Sequence, residues 1–249
     1  MHRFYIAPET WNPDHLLLTG SEAHHARDVL RLKTGDKAVL FNGRGREVTA
    51  EVTAGSANEL EFRKLTETET PPLRCRITLG QAIPKGKNMD LIVQKAVEIG
   101  VAEICPLMSQ RTVVDLDPDA AEQKRLKWQQ VAIEAAKQCG QNWLPQVRCP
   151  QTPKEFFSSD KQRYDLQLIG SLQPDAHHLK EILAQYSADQ TNRRPETVLM
   201  MIGPEGDFTP AELGLAKTHG CQPITLGPII LRVETAAIYC LSVLSYELF

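Results

Sequence analysis

The 249-residue chain lacks the marks of several whole classes of protein. Its six cysteines, Cys75, Cys105, Cys139, Cys149, Cys221 and Cys240, include no C-x-x-C pair, and most sit in apolar runs. They read as reduced, mostly buried thiols of a cytoplasmic protein, not as a disulfide framework or a zinc site. The N-terminal Met1-His2-Arg3-Phe4 opens no signal-peptide apolar core, and no apolar run approaches membrane-spanning length. Positive charge is not in excess either. With a net charge of −3 there is no global attraction for nucleic acid, so any RNA binding must come from local patches. There is no repeat and no low-complexity tract. A G-x-x-x-x-G-K-S/T loop and a strand-following G-x-G-x-x-G are both missing, which sets aside the common nucleotide-binding α/β enzymes. What is there is ordinary globular composition, 42% hydrophobic and 24% charged, in a chain long enough for one large domain or two modest ones.

The pattern changes once along the chain. The first part reads as β with one helix. Strands are expected at Arg3–Ile6, Lys37–Phe41, Glu47–Val52 and Glu59–Leu65, with a glycine-rich hairpin turn at Asn42–Arg46. A helix is expected over Ser21–Leu32, with Ala23, Ala26, Val29, Leu30 and Leu32 on its apolar face. Short strands at this spacing point to a small barrel. Thr66-Glu67-Thr68-Glu69-Thr70-Pro71-Pro72 has no apolar periodicity and ends in two prolines, so it reads as a linker. Residues 1–70 and 71–249 are therefore expected to form separate domains.

Beyond the linker, strands and helices alternate. Strands are expected at Arg76–Ile83, Glu103–Met108, Asp165–Ile169, Thr197–Ile202 and Pro223–Leu226. A helix over Gly86–Ile99, closed by Gly100, carries Met89, Ile92, Val93, Ala96 and Val97 on one face. Asp117-Pro118 places an N-cap acid before an N1 proline and opens a long helix. Trp128, Val131, Ala132, Ala135 and Cys139 continue it to Gly140. This alternation argues for an α/β fold with a parallel sheet covered on both faces. The last helix, from about Glu234 to Leu248, is apolar nearly all round, which predicts burial on more than one side and makes a subunit interface a plausible second surface.

Two loops carry most of the chemistry. Ile202-Gly203-Pro204-Glu205-Gly206-Asp207-Phe208 runs into Thr209-Pro210-Ala211-Glu212, a capping box with proline at N1. About twenty residues later, Leu226-Gly227-Pro228-Ile229-Ile230-Leu231-Arg232-Val233-Glu234-Thr235-Ala236 repeats the same plan of apolar run, Gly-Pro and helix. Such loops bring backbone N–H groups to a ligand at the ends of parallel strands. On the first loop alone a well-capped strand–turn–helix corner is the favoured reading. Arg232 and Glu234, at the edge of an apolar helix, are costly unless paired or used.

These loops resemble those of the 16S ribosomal RNA uridine N3-methyltransferases, of the SPOUT class of RNA methyltransferases. There the segments read roughly I-G-P-E-G-G/D-…-E and L-G-x-R-I-L-R-x-E-T-A. His24–Lys33 with Gly35-Asp36, Lys85–Gly100, Ser109-Gln110-Arg111 and Glu134–Gly140 match further signatures in the same order, so the likeness spans nearly the whole chain. Gln141 and Ile229 depart from it, since the family usually has arginine at both. The resemblance implies a PUA-like N-terminal barrel and a C-terminal SPOUT domain with a parallel sheet and a deep trefoil knot. It implies S-adenosylmethionine as cofactor, a homodimer, and 16S rRNA or the 30S subunit as partner. Leu168, Ile202, Gly203, Pro204, Glu205, Gly206, Leu226, Gly227, Ile230, Leu231, Thr235 and Ala236 would hold the cofactor. Arg232 would orient the uridine or stabilise its anion, with Glu234 or Glu205 orienting that arginine or taking the N3 proton.

Arg27 and Arg31, four apart on the expected helix, and Arg44 and Arg46 at the hairpin tip are candidate RNA contacts, with Arg111 and Gln138 as second-line ones. For any single one of them an ordinary solvated surface charge is the favoured reading. His24-His25 and His177-His178 lack partners at ligand spacing, so no metal is assigned. Two related readings stay open on the residues: a methyltransferase with another RNA target, and an RNA-binding descendant that no longer catalyses.

Overall fold

The computed structural model describes residues 1–56, 59–112, 116–159 and 163–249. The chain divides into two compact units. The first contains Met1–Pro72 and also Ile133–Leu144; the second contains Leu73–Ala132 and Pro145–Phe249.

In the first unit, β1 (His2–Tyr5), β2 (Leu16–Thr19), β3 (Lys37–Phe41), β4 (Arg46–Gly55) and β5 (Glu59–Glu69) form a sheet in the order β1-β3-β4-β5-β2. β1 pairs with β3 in parallel and the other pairs are antiparallel. Two register shifts in β4, at Thr49/Ala50 and Val52/Ala54, bend it around a core of Phe4, Leu16, Leu18, Leu40, Val48, Val52, Leu60 and Phe62. The edges β1 and β2 are not bonded to each other among the described residues, so the barrel expectation reduces to a bent sheet. β2 escaped the sequence reading because its four residues, Leu16-Leu17-Leu18-Thr19, are too short to show a period.

Two expectations fail here. The Ser21–Leu32 helix is α1 only over Gly20–His24; His25–Val29 follows as a π-helical turn, with Leu30 N–H bonded to His25 O at 3.0 Å. The wider turn rotates Val29 outward, to 60% exposure, and leaves Arg31 beyond the helix with φ +57°, so Arg27 and Arg31 do not share a helix face. The expected linker also starts too early. Thr66–Glu69 belong to β5 and pair with Arg46–Thr49 of β4, so backbone bonding holds a segment whose side chains are all exposed. Trp143 closes the end of that strand by donating from Nε1 to the Thr70 carbonyl at 2.9 Å.

The second unit is an α/β layer structure. In order it contains β6 (Arg76–Ala82), α2 (Asn88–Ile99), β7 (Glu103–Leu107), α3 (Pro118–Cys139, whose last turns group with the first unit), β8 (Gln146–Val147), α4 (Pro153–Ser159), β9 (Leu166–Gly170), β10 (His177–His178), α5 (Leu179–Asp189), β11 (Thr197–Ile202), α6 (Pro210–Thr218), β12 (Gln222–Thr225) and α7 (Val233–Leu248). The seven strands are all parallel, in the order β10-β12-β9-β11-β6-β7-β8. β11 is central, and Val198–Ile202 are all buried, as expected for a parallel strand covered on both faces. Leu199 and Met201 enter a cluster with Phe156 of α4 and Leu213 and Ala216 of α6, while α7 packs against α2 and β11. β8 and β10 have two residues each, too few for any sequence signal.

The capping expectations hold. Asp117 Oδ1 accepts from Ala120 N–H at 2.7 Å, and Gly100 ends α2 with φ +93°. The cysteine expectation holds for four of six. Cys75, Cys221 and Cys240 are buried, and burial pushes each thiol up to about 12; Cys105 is buried too. Cys139 and Cys149 are exposed. Cys139 therefore leaves the buried face of α3 that Trp128, Ala132 and Ala135 occupy.

Helix α7 is less uniform than its composition. Val233, Ala236, Ala237, Cys240, Leu241, Leu244 and Leu248 are buried, whereas Thr235, Tyr239, Ser242 and Tyr246 form an exposed row at helical spacing. Tyr239 is 48% and Tyr246 87% exposed.

Candidate functional site

The carboxyl ends of β9, β11 and β12 converge on a cavity of about 430 Å³, within the size range of small-molecule clefts. Its walls come from Gly170–Leu172 after β9, Ile202–Glu205 and Asp207 after β11, and Thr225–Gly227 and Ile229–Glu234 after β12, with Ala236 of α7 and Asn88 at the start of α2. Loops beyond strand ends, where a sheet's connections diverge, are the usual ligand crevice of such folds.

The loop after β11 is tightly specified. Asp207 N–H bonds to Pro204 O at 2.9 Å, closing a turn, and Asp207 itself sits at φ +62°. A short acidic side chain tolerates that left-handed conformation by bonding locally. Asp207 Oδ1 accepts from Phe208 N–H at 2.7 Å and Oδ2 from Leu172 N–H at 3.2 Å, which ties this loop to the one after β9. Gly203 is required by space, since a Cβ there would lie 3.2 Å from both Phe208 Cδ2 and Phe208 N. Gly227 is required by its backbone, with φ +110° and no atom within 4 Å of where a Cβ would stand. The capping box of α6 is complete: Thr209 Oγ1 accepts from Glu212 N–H, and Glu212 Oε2 accepts from Thr209 N–H at 2.9 Å.

Both candidate acids at the mouth have partners. Glu205 Oε1 accepts from Lys85 N–H at 2.9 Å, and Glu234 Oε2 accepts from Asn88 Nδ2 at 3.2 Å. Arg232 is the exposed N-cap residue of α7 and has no ion-pair partner among the described residues. Three large aliphatic side chains, Leu172, Ile229 and Ile230, are 62–75% exposed at the rim.

Of the residues expected at the cofactor, Ile202, Gly203, Pro204, Glu205, Leu226, Gly227, Ile230, Leu231 and Ala236 line this cavity, as do Arg232 and Glu234. Three do not. Leu168 is fully buried within β9, Thr235 points outward from α7, and Gly206 turns toward Arg111. Sequence reasoning missed Asn88 and the Gly170–Leu172 loop. The signal for the loop was present, because Gly170-Ser171 follows an apolar run as Gly203-Pro204 does; for Asn88 there was none beyond its place at a helix start.

The expected RNA contacts are scattered and mostly occupied. Arg27 donates to the Asp28 carboxylate at 2.8 Å and to Ser56 O at 2.9 Å, and Arg44 pairs with Glu9 at 3.4 Å. The Arg27 guanidinium holds the Asp28 carboxyl below the usual carboxylate range. Arg31 and Arg46 have no ion-pair partner among the described residues. Gln138 is exposed near the end of α3. Arg111 donates to the Gly206 carbonyl, so its guanidinium faces the loop after β11. His24 Nδ1 lies 2.5 Å from Asp28 Oδ2. Among the described residues no group of three or more His, Cys, Asp or Glu side chains could hold a metal, and no helix is long and apolar enough to cross a membrane.

Comparison with known proteins agrees with this geometry. The RNA methyltransferase domain model matches residues 71–245, and the RNA methyltransferase PUA domain model matches residues 18–65. The chain is 30% identical over 231 residues to the ribosomal RNA small subunit methyltransferase E of Bacillus subtilis, covering 92% of this chain and 89% of that one. It is 32% identical over 238 residues to the protein of the same name from Synechocystis, covering 94% and 74%. The crystal structure of ribosomal RNA small subunit methyltransferase E from Neisseria gonorrhoeae, bound to S-adenosylmethionine, superposes with a TM-score of 0.84 at 32% identity, covering 99% of this chain and 98% of that one. With a matched catalytic-domain model over most of its length and relatives of this similarity, the chain belongs to the ribosomal RNA small subunit methyltransferase E family of RNA methyltransferases.

Proposed function

We propose that this protein transfers the methyl group of S-adenosylmethionine to N3 of a uridine in 16S ribosomal RNA, within the 30S subunit. The observation that carries the reading is the cavity itself, formed by two glycine loops at parallel strand ends with Arg232 at its mouth. Its residues fit the cofactor. Gly203 leaves a cradle that a Cβ would fill, Gly227 holds a turn that only glycine adopts readily, and Ile202, Leu226 and Leu231 offer apolar contact beside main-chain groups. S-adenosylmethionine supplies an already activated methyl group.

The chain's own residues then have three tasks. The loops fix the cofactor's orientation, so that N3 meets the methyl carbon in line. Arg232, which has no ion-pair partner among the described residues and projects from the N-cap of α7, binds the uracil edge and stabilises the negative charge that develops when N3 loses its proton. Glu234 takes that proton. It stands in the first turn of α7 at the cavity wall, and Asn88 orients it. Glu205, already engaged by the Lys85 amide, helps shape the loop. Arg31 and Arg46 of the first unit make phosphate contacts.

The same reading takes the C-terminal domain to be a SPOUT fold whose loops after β11 and β12 form a trefoil knot, and assigns residues 1–70 to RNA docking. It makes the protein a cytoplasmic homodimer, supported by the exposed Tyr239–Tyr246 row of α7, which a second copy would cover. The test is to incubate the protein with methyl-labelled S-adenosylmethionine and 30S subunits from cells lacking this activity, then analyse the nucleosides. Label in 3-methyluridine of 16S RNA is expected; label in another nucleoside or none would overturn the assignment.

A further inference from the structure

Glu212 is a buried carboxylate with more partners than a helix cap needs. Its Oε2 accepts from Thr209 N–H and Thr209 Oγ1–H, both at 2.9 Å, which completes the capping box. The same oxygen accepts from Ser109 Oγ–H at 3.2 Å, and Oε1 accepts from Gln110 N–H at 2.9 Å. Ser109 lies 103 positions earlier, in the loop that leaves β7. A single carboxylate thus joins two strand-end loops. The next residue makes a second join. The Arg111 guanidinium donates to the Gly206 carbonyl, and its Cδ lies 3.4 Å from where a Gly206 Cβ would stand. The loop after β7 thus holds the loop after β11 directly at Gly206, and indirectly at its end through Glu212, which caps Thr209.

We propose that Arg111 and Glu212 are positioning residues that brace the Gly203–Thr209 loop in its cofactor-accepting shape, so that the loop after β7 governs methyl-donor affinity. The inference rests on the function proposed above. Neither residue lines the cavity. They act through the main chain of a loop that does. The charge on Glu212 matters because two of its donors are backbone N–H groups, which cannot turn away. A glutamine of the same shape would aim its own NH2 at one of them, leaving two donors face to face.

The test measures S-adenosylmethionine affinity by calorimetry, with backbone amide exchange across 203–209 in the free protein. Arg111→Ala and Glu212→Gln should each raise the Kd by about tenfold or more, the effect of losing a hydrogen bond to a charged group. Arg111→Lys, which keeps one donor, should recover part of the loss. In kinetics the KM for the cofactor should rise more than kcat falls, and amides at Gly206–Phe208 should exchange faster. A Kd unchanged in both variants, with RNA affinity weakened by Arg111→Ala, would overturn the brace and return Arg111 to RNA contact. Loss of thermal stability with cofactor affinity intact would reduce Glu212 to a cap. If Glu212→Gln does not fold, Ser109→Ala removes the hydroxyl that donates to Glu212 and accepts from Arg111 N–H, and an unchanged Kd and exchange rate there counts against the proposal. A wild-type protein that does not bind S-adenosylmethionine would sink the function instead, while amide exchange would still judge the brace.

Discussion

The two compact units of this chain build their surfaces in opposite ways. In the second unit the cavity is made largely from main chain, with Gly203, Gly227 and the Pro204–Asp207 turn presenting backbone at the ends of parallel strands. In the first unit the candidate contacts are side chains on or beside a bent mixed sheet, and two are already paired. Arg27 is bound to Asp28 and Arg44 to Glu9. That unit holds more acidic than basic side chains. A backbone site is fixed by where glycine, proline and caps fall. A charged surface depends on which acid happens to reach which base.

The sharpest way to break this contrast is at the one side chain on which the backbone site depends. Arg232→Ala should lower the rate of methyl transfer by about 10²–10³-fold, the usual cost of removing a preorganised charge-stabilising donor, with calorimetric affinity for S-adenosylmethionine retained. Loss of cofactor affinity, or of the proposed dimer, instead would make Arg232 structural. Next come the glycines. Gly227→Ala forces a side-chain residue to φ +110°, and Gly203→Ala crowds Phe208, so both should weaken cofactor binding about tenfold or more by calorimetry. Gly206→Ala should weaken it far less, because its Cβ meets only Arg111 at an ordinary 3.4 Å.

On the other unit, Arg31→Glu combined with Arg46→Glu should weaken RNA binding several-fold and flatten its salt dependence in filter binding, leaving cofactor affinity alone. Arg27→Glu should do less, since Arg27 already serves Asp28 and Ser56. If Arg27 proved the larger contributor, the paired charges would be the working surface and the contrast would fail. The smallest effect concerns the core. Cys75, Cys221 and Cys240 have folded-state values raised to about 12 from an ordinary 9. Above pH 9 the unfolded chain loses thiol protons that the folded chain keeps, so stability is full below pH 9 and falls as pH rises toward 12. Melting temperatures over that range, compared with a Cys221→Ala variant, measure the share of one thiol.

The same contrast explains what could be read in advance. The strands Thr197–Ile202 and Lys37–Phe41 have the bounds their composition predicts, and the capping box at Thr209–Glu212 forms as its four residues specify. Most residues expected around the cofactor do line the cavity, because glycine and proline constrain the backbone locally and the ligand side follows from strand direction. What failed depended on distant partners. Thr66–Glu69 looked like a linker because its stability comes from the ladder with β4, not from its own side chains. Ser21–Leu32 looked like one helix because a period of 3.6 does not reveal a π turn. Nothing near Arg111 in the sequence shows that its guanidinium bonds a carbonyl 95 positions away.

The Gly203–Asp207 turn has a consequence for inheritance. Main-chain donors and acceptors are the same whichever codon is read, so point mutation changes little of what a ligand meets there except at the glycines. An inhibitor that bonds to the backbone after β11 and β12, and ignores the exposed Ile229 and Ile230, would leave a resistant lineage few single substitutions that weaken the drug and still admit the methyl donor.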